Sequence, residues 1–277
     1  MISKLERITP EIAKEYMTHN MVNRPIRSHH LDEIARDMKN GNWHPSHLGI
    51  AFDRKGNLID GQHRLMAIIL SGATVDMYVT RDVDDEAIMN IDTNATRSFS
   101  DAYKIKAAIS GDEVDLILRN KSAIAAVRTI VRCGYNGNIR LSNSEIDALV
   151  SALTPQLRQL YKICLTRGKT TNCDIYGAIL AALICGEPEE DLHKFNSVFL
   201  FGNTNDCDGF NTGAAFRLAT IMMDAKIKHI ILMKERIYKL TQNAIWQFLH
   251  GADTRLLREP KQYRYPVALV IKSILGG

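Results

Sequence analysis

The spacing of hydrophobic positions along the chain changes character near residue 100. Before that point, alternating runs are mixed with helical ones. Thr9-Pro10-Glu11 has the form of an N-cap, a first-turn proline and a first-turn acid, and predicts a helix through about Thr18. Ser28 is placed to cap a second helix, in which Leu31, Ile34, Ala35 and Met38 share a face and which Gly41 stops. Leu48, Ile50 and Phe52 then alternate with smaller or polar residues, Arg54 to Asn57 form a turn, and Leu58-Ile59 begin a second short strand that runs straight into Asp60-Gly61. From Gln62 the period becomes helical, with Leu65, Ile68 and Ile69 inward and Gly72 as terminator; Val75, Met77 and Val79 alternate as a third strand. A short helix near 84–90 and a loop from Ile91 to Arg97 close the region.

After Phe99 the apolar residues recur at three- and four-residue spacing in segments near 100–108, 113–132, 143–153, 155–165, 174–185, 189–200, 213–225 and 229–249. Ser142-Asn143-Ser144-Glu145 has the form of a capping box, and Thr154-Pro155 opens another helix. The pattern predicts an α+β protein: a small mixed sheet with helices over residues 1–108, then an all-α domain over 109–277.

Composition narrows the class. With 45% hydrophobic and 24% charged residues the chain resembles an ordinary globular protein and departs from disordered or fibrous ones. No apolar run approaches the ~20 residues of a membrane span, and the first residues lack a signal peptide's apolar stretch, so a cytoplasmic protein without a membrane partner is expected. The five cysteines form no CxxC pair, which removes the main support for zinc-ribbon or thioredoxin chemistry and fits reduced, mostly buried thiols. His44 and His47 have a metal-like spacing, but Pro45 breaks the helix that would align them, and no metal site made by protein groups alone is expected. Trp43 reads as a core anchor. Residues 1–110 carry 14 Lys and Arg against 15 Asp and Glu, and the remainder 21 against 16, so any nucleic acid is expected at the C-terminal half.

The segment richest in chemistry is Asp60-Gly61-Gln62-His63-Arg64. A strand that ends in Asp-Gly and turns at once into a helix sets backbone N–H groups and the positive helix end beside one spot, a corner suited to anions and above all to phosphate. Gly61 permits close approach or a positive φ, and Arg64, one turn in, offers a bidentate guanidinium. Gln62 and His63 add donors, His63 is a candidate for proton transfer, and Asp60 is a candidate for a magnesium ion or for orienting a nucleophile. The same residues also suit a plain turn and helix cap.

This segment resembles the signature of the ParB/sulfiredoxin-like superfamily, in the variant with Asp-Gly-Gln-His-Arg common on phages and mobile elements. The resemblance extends to Asn23-Arg24-Pro25-Ile26, to the helix ending at Gly41-Asn42-Trp43, to Ile50-Ala51-Phe52, and to Ile91-Asp92-Thr93 followed by Arg97-Ser98-Phe99, so that it covers about residues 8–105; it continues faintly at Ala244-Ile245-Trp246-Gln247 and Leu256-Leu257-Arg258. It implies a triphosphate at the corner, ATP or CTP with Mg2+. Gly61, His63 and Arg64 become phosphate-binding positions, with Gln62, Arg24 and Arg97 as further nucleotide-binding candidates and Asp60, His63 and Asp92 as catalytic candidates. The chain has no cysteine near the turn, as sulfiredoxin has, and no evident helix-turn-helix, as partition proteins have.

Lys226, Lys228, Lys234, Arg236 and Lys239 form a basic stretch, followed by Arg255, Arg258, Lys261 and Arg264 with Tyr263 and Tyr265 interleaved. Lys234, Lys239, Arg255 and Arg258 are the candidate DNA contacts; a solvated helix face is the plainer reading. Two functions stay open: an NTP-dependent phosphotransferase or NTPase, and a nucleotide-gated DNA-binding protein without turnover. Either could act as a homo-oligomer.

Overall fold

The structure, a computed structural model, describes residues 1–20, 28–84, 99, 121–137, 139–165, 172–252 and 255–276. It is an α+β protein with a small four-stranded mixed sheet at the N-terminus and mostly helices after it. The chain divides into two units, Met1–Arg97 with Arg140–Ser144, and Ser98–Ile139 with Glu145–Gly277. A short later segment, Arg140–Ser144, thus groups with the first unit.

The first unit contains β1 (Ile2–Ile8), α1 (Pro10–Met17), α2 (Ser28–Lys39), β2 (Ile50–Asp53), β3 (Leu58–Asp60), α3 (Gln62–Ser71) and β4 (Val75–Val83). The strands lie in the order β1-β4-β2-β3. β1 is antiparallel to β4, β2 parallel to β4 and β3 antiparallel to β2. Alternation on β4 sends Val75, Met77 and Val79 into the core and leaves Asp76 and Tyr78 exposed, which is the pattern of a sheet covered on one face. The covered face packs Ile8, Ile50, Leu58, Met77 and Val79 against Ala13 of α1, Ala35 and Met38 of α2, and Leu65 and Ile68 of α3, with Trp43 at its margin. Thr9 caps α1 by accepting from the Ile12 N–H at 3.3 Å. The returning segment is tied to α2: Ser142 donates to Asp37 at 2.6 Å, Arg140 pairs with Glu33 at 3.3 Å, and Arg36 donates to the Arg140 carbonyl.

The second unit contains α4 (Lys121–Gly134), α5 (Asn143–Ala152), α6 (Thr154–Leu160) with a π-helical turn at Tyr161–Leu165, α7 (Cys173–Ile184), α8 (Glu189–Phe201), α9 (Thr212–Ile227), α10 (Lys234–His250) and α11 (Ala268–Leu275). α7 is buried on every side, as its nearly continuous apolar run requires, and α4, α6 and α10 pack around it. Its one acid, Asp174, sits 2% exposed with Arg132 at 2.6 Å and the Thr129 hydroxyl at 3.2 Å, which gives a buried charge the partner it needs. Cys133, Cys164 and Cys207 are buried thiols, and burial holds each above the ordinary thiol range.

Candidate functional site

The turn at Asp60 follows from the register of the sheet. β3 is only three residues long and ends where Asp60 pairs with Ala51 of β2; the next residue, Gly61, takes φ +100° and starts α3 without a capping side chain. A side chain at Gly61 would be strained by that φ and would press on Ile50, whose Cα lies 3.1 Å from the position of a Cβ. The close approach of the turn to β2 fixes where the first N–H groups of α3 point.

Within this corner the structure holds an anion of its own. One oxygen of Asp60, Oδ1, accepts the Gly61 N–H at 2.6 Å, and the other, Oδ2, accepts Arg64 Nη2 at 2.8 Å. The two side chains are 28% and 19% exposed, so solvent reaches them, while Arg64 Nε is buried and has no hydrogen-bond partner. The carboxylate thus takes two donors that sequence reasoning reserved for phosphate, and a buried guanidinium N–H beside them is left over.

Gln62 is turned inward. It is 6% exposed and its Oε1 accepts Asn20 Nδ2 at 3.3 Å, which ties the start of α3 to the segment after α1. That segment is pinned a second time where the Leu58 N–H donates to the His19 carbonyl at 2.9 Å. His63 is partly exposed, its ring 5.6 Å from that of His30 on α2. Asn20 and His30 are site neighbours that sequence reasoning missed; each lies thirty or more positions from the turn, and no local motif connects them to it. Arg24, Asp92 and Arg97 lie outside the described residues.

A cleft of about 260 Å³ lies at the carboxyl ends of β2 and β4, whereas Asp60 ends β3, which runs the other way; Tyr16, His19, Phe52, Arg54, Arg81 and Asp82 contribute to its walls. The pairing of β4 with β2 slips by one residue here, and Asp82 takes φ +60° in the bulge. Arg81 lies over the rings of Tyr16 and Phe52 and pairs with Glu6, which also accepts the Tyr16 hydroxyl at 2.8 Å. The Arg81 hydrogen bonds hold the Glu6 carboxyl below its usual 4.5 against the opposing effect of burial. A carboxyl lowered in the folded state contributes stability that is present above its unfolded value and lost as pH falls through the folded value. The acid limb of unfolding is therefore expected to be shallower in Arg81→Met than in the wild type; equal limbs in a pH series of thermal melts would remove Glu6 from the account.

In the second unit Lys239 pairs with Glu235 at 2.7 Å and Arg236 with Glu259 at 3.2 Å. Arg264 stacks on Trp246 at 4.0 Å, Tyr265 is buried, and Asn243 donates to the Arg258 carbonyl at 2.9 Å, so the segment 255–265 is packed along α10. Lys234, Arg255 and Arg258 are exposed and make no ion pair among the described residues.

Compared with family models, with curated proteins and with solved structures, the chain matches none of them. Among the described residues no group of three or more His, Cys, Asp or Glu is arranged to hold a metal ion, and no helix is long and apolar enough to cross a membrane.

Proposed function

We propose that the first unit binds a nucleoside triphosphate, ATP or CTP with Mg2+, through the turn Asp60 to Arg64, as the ParB/sulfiredoxin resemblance implies, and that the protein serves DNA metabolism of a phage or mobile element. The observation that carries this reading is the clasp itself. Gly61 N–H and the Arg64 guanidinium converge on one carboxylate, at the positive start of a helix, with a buried guanidinium N–H to spare. A phosphate oxygen in place of the Asp60 carboxylate meets the same donors. Gln62 holds the helix start in position from within, and His63 lies at the solvent side. A magnesium ion would be held by the phosphates, with Asp60, once displaced, as the carboxylate in the turn.

Binding without turnover is the reading we state. A catalytic step needs a group to orient an acceptor, and Asp60, the carboxylate in the turn, is engaged by its two donors. Lys234, Arg255 and Arg258 supply the second unit's candidate contacts to DNA phosphates. Calorimetry of the full chain with each of the four NTPs and Mg2+ tests the reading, and absence of binding by all four sinks it. A bound ligand at ~100 times its Kd should raise stability by about 2.7 kcal/mol.

Asp60→Asn separates this geometry from a plain turn. If the carboxylate competes with phosphate for Gly61 and Arg64, removing its charge should tighten triphosphate binding about two- to fivefold, the scale of a partly exposed ion pair. Affinity that is unchanged or weaker would show that Asp60 is no competitor.

A further inference from the structure

The second unit carries an apolar face that the described residues leave uncovered. On α9, Ala214, Ala215, Leu218 and Ala225 are buried, while Phe216, Thr220, Met223 and Ile227 are exposed. The spacing of those four, four-three-four, is the repeat by which one helix seats against another. Met223 and Ile227 are 63% and 66% exposed, and the stripe continues into the link to α10, where Ile230, Ile231 and Met233 also face solvent, Ile231 at 95%. Thr220 does not interrupt it, because its hydroxyl donates to the Phe216 carbonyl at 2.9 Å and its methyl is left outward. At these exposures the face amounts to on the order of 800 Å², above the ~300–600 Å² of the largest patch on a typical monomer and equal to one partner's share of a standard interface.

We infer that this face is the contact between two copies of the chain, α9 against α9, with Thr220 near the two-fold axis. The charges around it select the occupant. Lys228 pairs with Asp224 at 3.7 Å, Arg236 with Glu259 at 3.2 Å and Lys239 with Glu235 at 2.7 Å, so three of the five nearby cations are neutralised within the protomer, and Lys226 and Lys234 stay exposed without an ion pair among the described residues. DNA or an anionic lipid surface draws on unpaired cations and gives nothing in return for seven uncovered apolar and methyl groups. A second copy covers them and leaves the paired charges at a solvated rim, the usual anatomy of a subunit interface.

Light scattering of the full chain is expected to give twice 31.2 kDa, with Met223→Glu and Ile227→Glu each reducing it to the single mass at unchanged far-UV circular dichroism. Leu269→Glu, an exposed apolar position on α11, should leave the dimer intact. Since a glutamate variant can fail to fold, Thr220→Cys in a Cys185→Ser background provides a second readout: a disulfide-linked dimer on a non-reducing gel, with none from Cys185→Ser alone. A wild type that is monomeric at its highest soluble concentration, a dimer that survives Met223→Glu, or no cross-link through position 220 overturns the inference. So does a monomer that instead floats with vesicles of anionic phospholipid, which would give the face to lipid.

Discussion

Replacing Gly49 with alanine is expected to destabilise the first unit by about 3 kcal/mol or more, at or above the top of the usual range for overpacking. The methyl group would fall 1.8 Å from the Tyr78 carbonyl oxygen and 2.7 Å from its carbon. Those are backbone atoms of β4, so no rotamer change relieves the clash and the two strands have to part. β2 and β4 are the parallel pair at the centre of the sheet, and Ile50, the next residue, packs under the turn at Gly61. Loss of the sheet therefore carries loss of the corner at Gly61. Urea denaturation checks the stability, and calorimetry at a temperature where the variant is still folded checks the corner. A variant as stable as the wild type would show that the chain reaches this strand pairing by a looser route.

Arg64→Ala is expected to weaken triphosphate binding about 10- to 100-fold, the worth of a charge-assisted contact to phosphate. The fold should change little, by less than about 1 kcal/mol, because the pair it breaks is partly exposed and Asp60 retains the Gly61 N–H. Arg64→Lys tells geometry from charge. A lysine keeps the charge but lacks the planar fork, so it should recover only part of the loss. Titration of both variants with ATP and CTP decides; equal binding by wild type and Arg64→Ala would move the site elsewhere in the protein.

Much of the first unit is legible in its residues, because α1 and α3 carry their start and stop signals locally and β4 alternates cleanly, whereas Ser28, expected to cap α2, is its first helical residue. β1 is not: only Ile8 of its seven residues is buried, so its hydrophobic alternation is faint, and its place comes from pairing with β4 some seventy positions away. In the second unit the apolar run from Ile230 to Met233 suggests that α10 begins near 229, but the helix starts at Lys234 and most of that run faces solvent. Periodicity registers which side chains are apolar and does not tell what covers them. α11 escapes for a related reason, since Ile271 alone of its eight residues is buried. At the site, the Asp-Gly corner is readable as strand into helix, but the Asp60–Arg64 pair is not, because Asp60 ends β3, Arg64 belongs to α3, and only the turn at Gly61 brings them together. The inward turn of Gln62 is not readable, because Asn20 reaches it only through the folded packing of α1 beside α3.

The clasp at Asp60 also bears on what the corner ignores. A carboxylate held one and four residues from its two donors acts at a higher effective concentration than a dilute anion free in solution. Chloride, acetate or a lone phosphate ester must displace it with one or two charges, and gains little by doing so. A triphosphate brings more charge along a longer reach and can take Gly61 and Arg64 while contacting further groups. On the proposed reading the tethered acid lowers the affinity of every anion by the same factor of about two to five, which a polyanion recovers through its further contacts and a small anion does not.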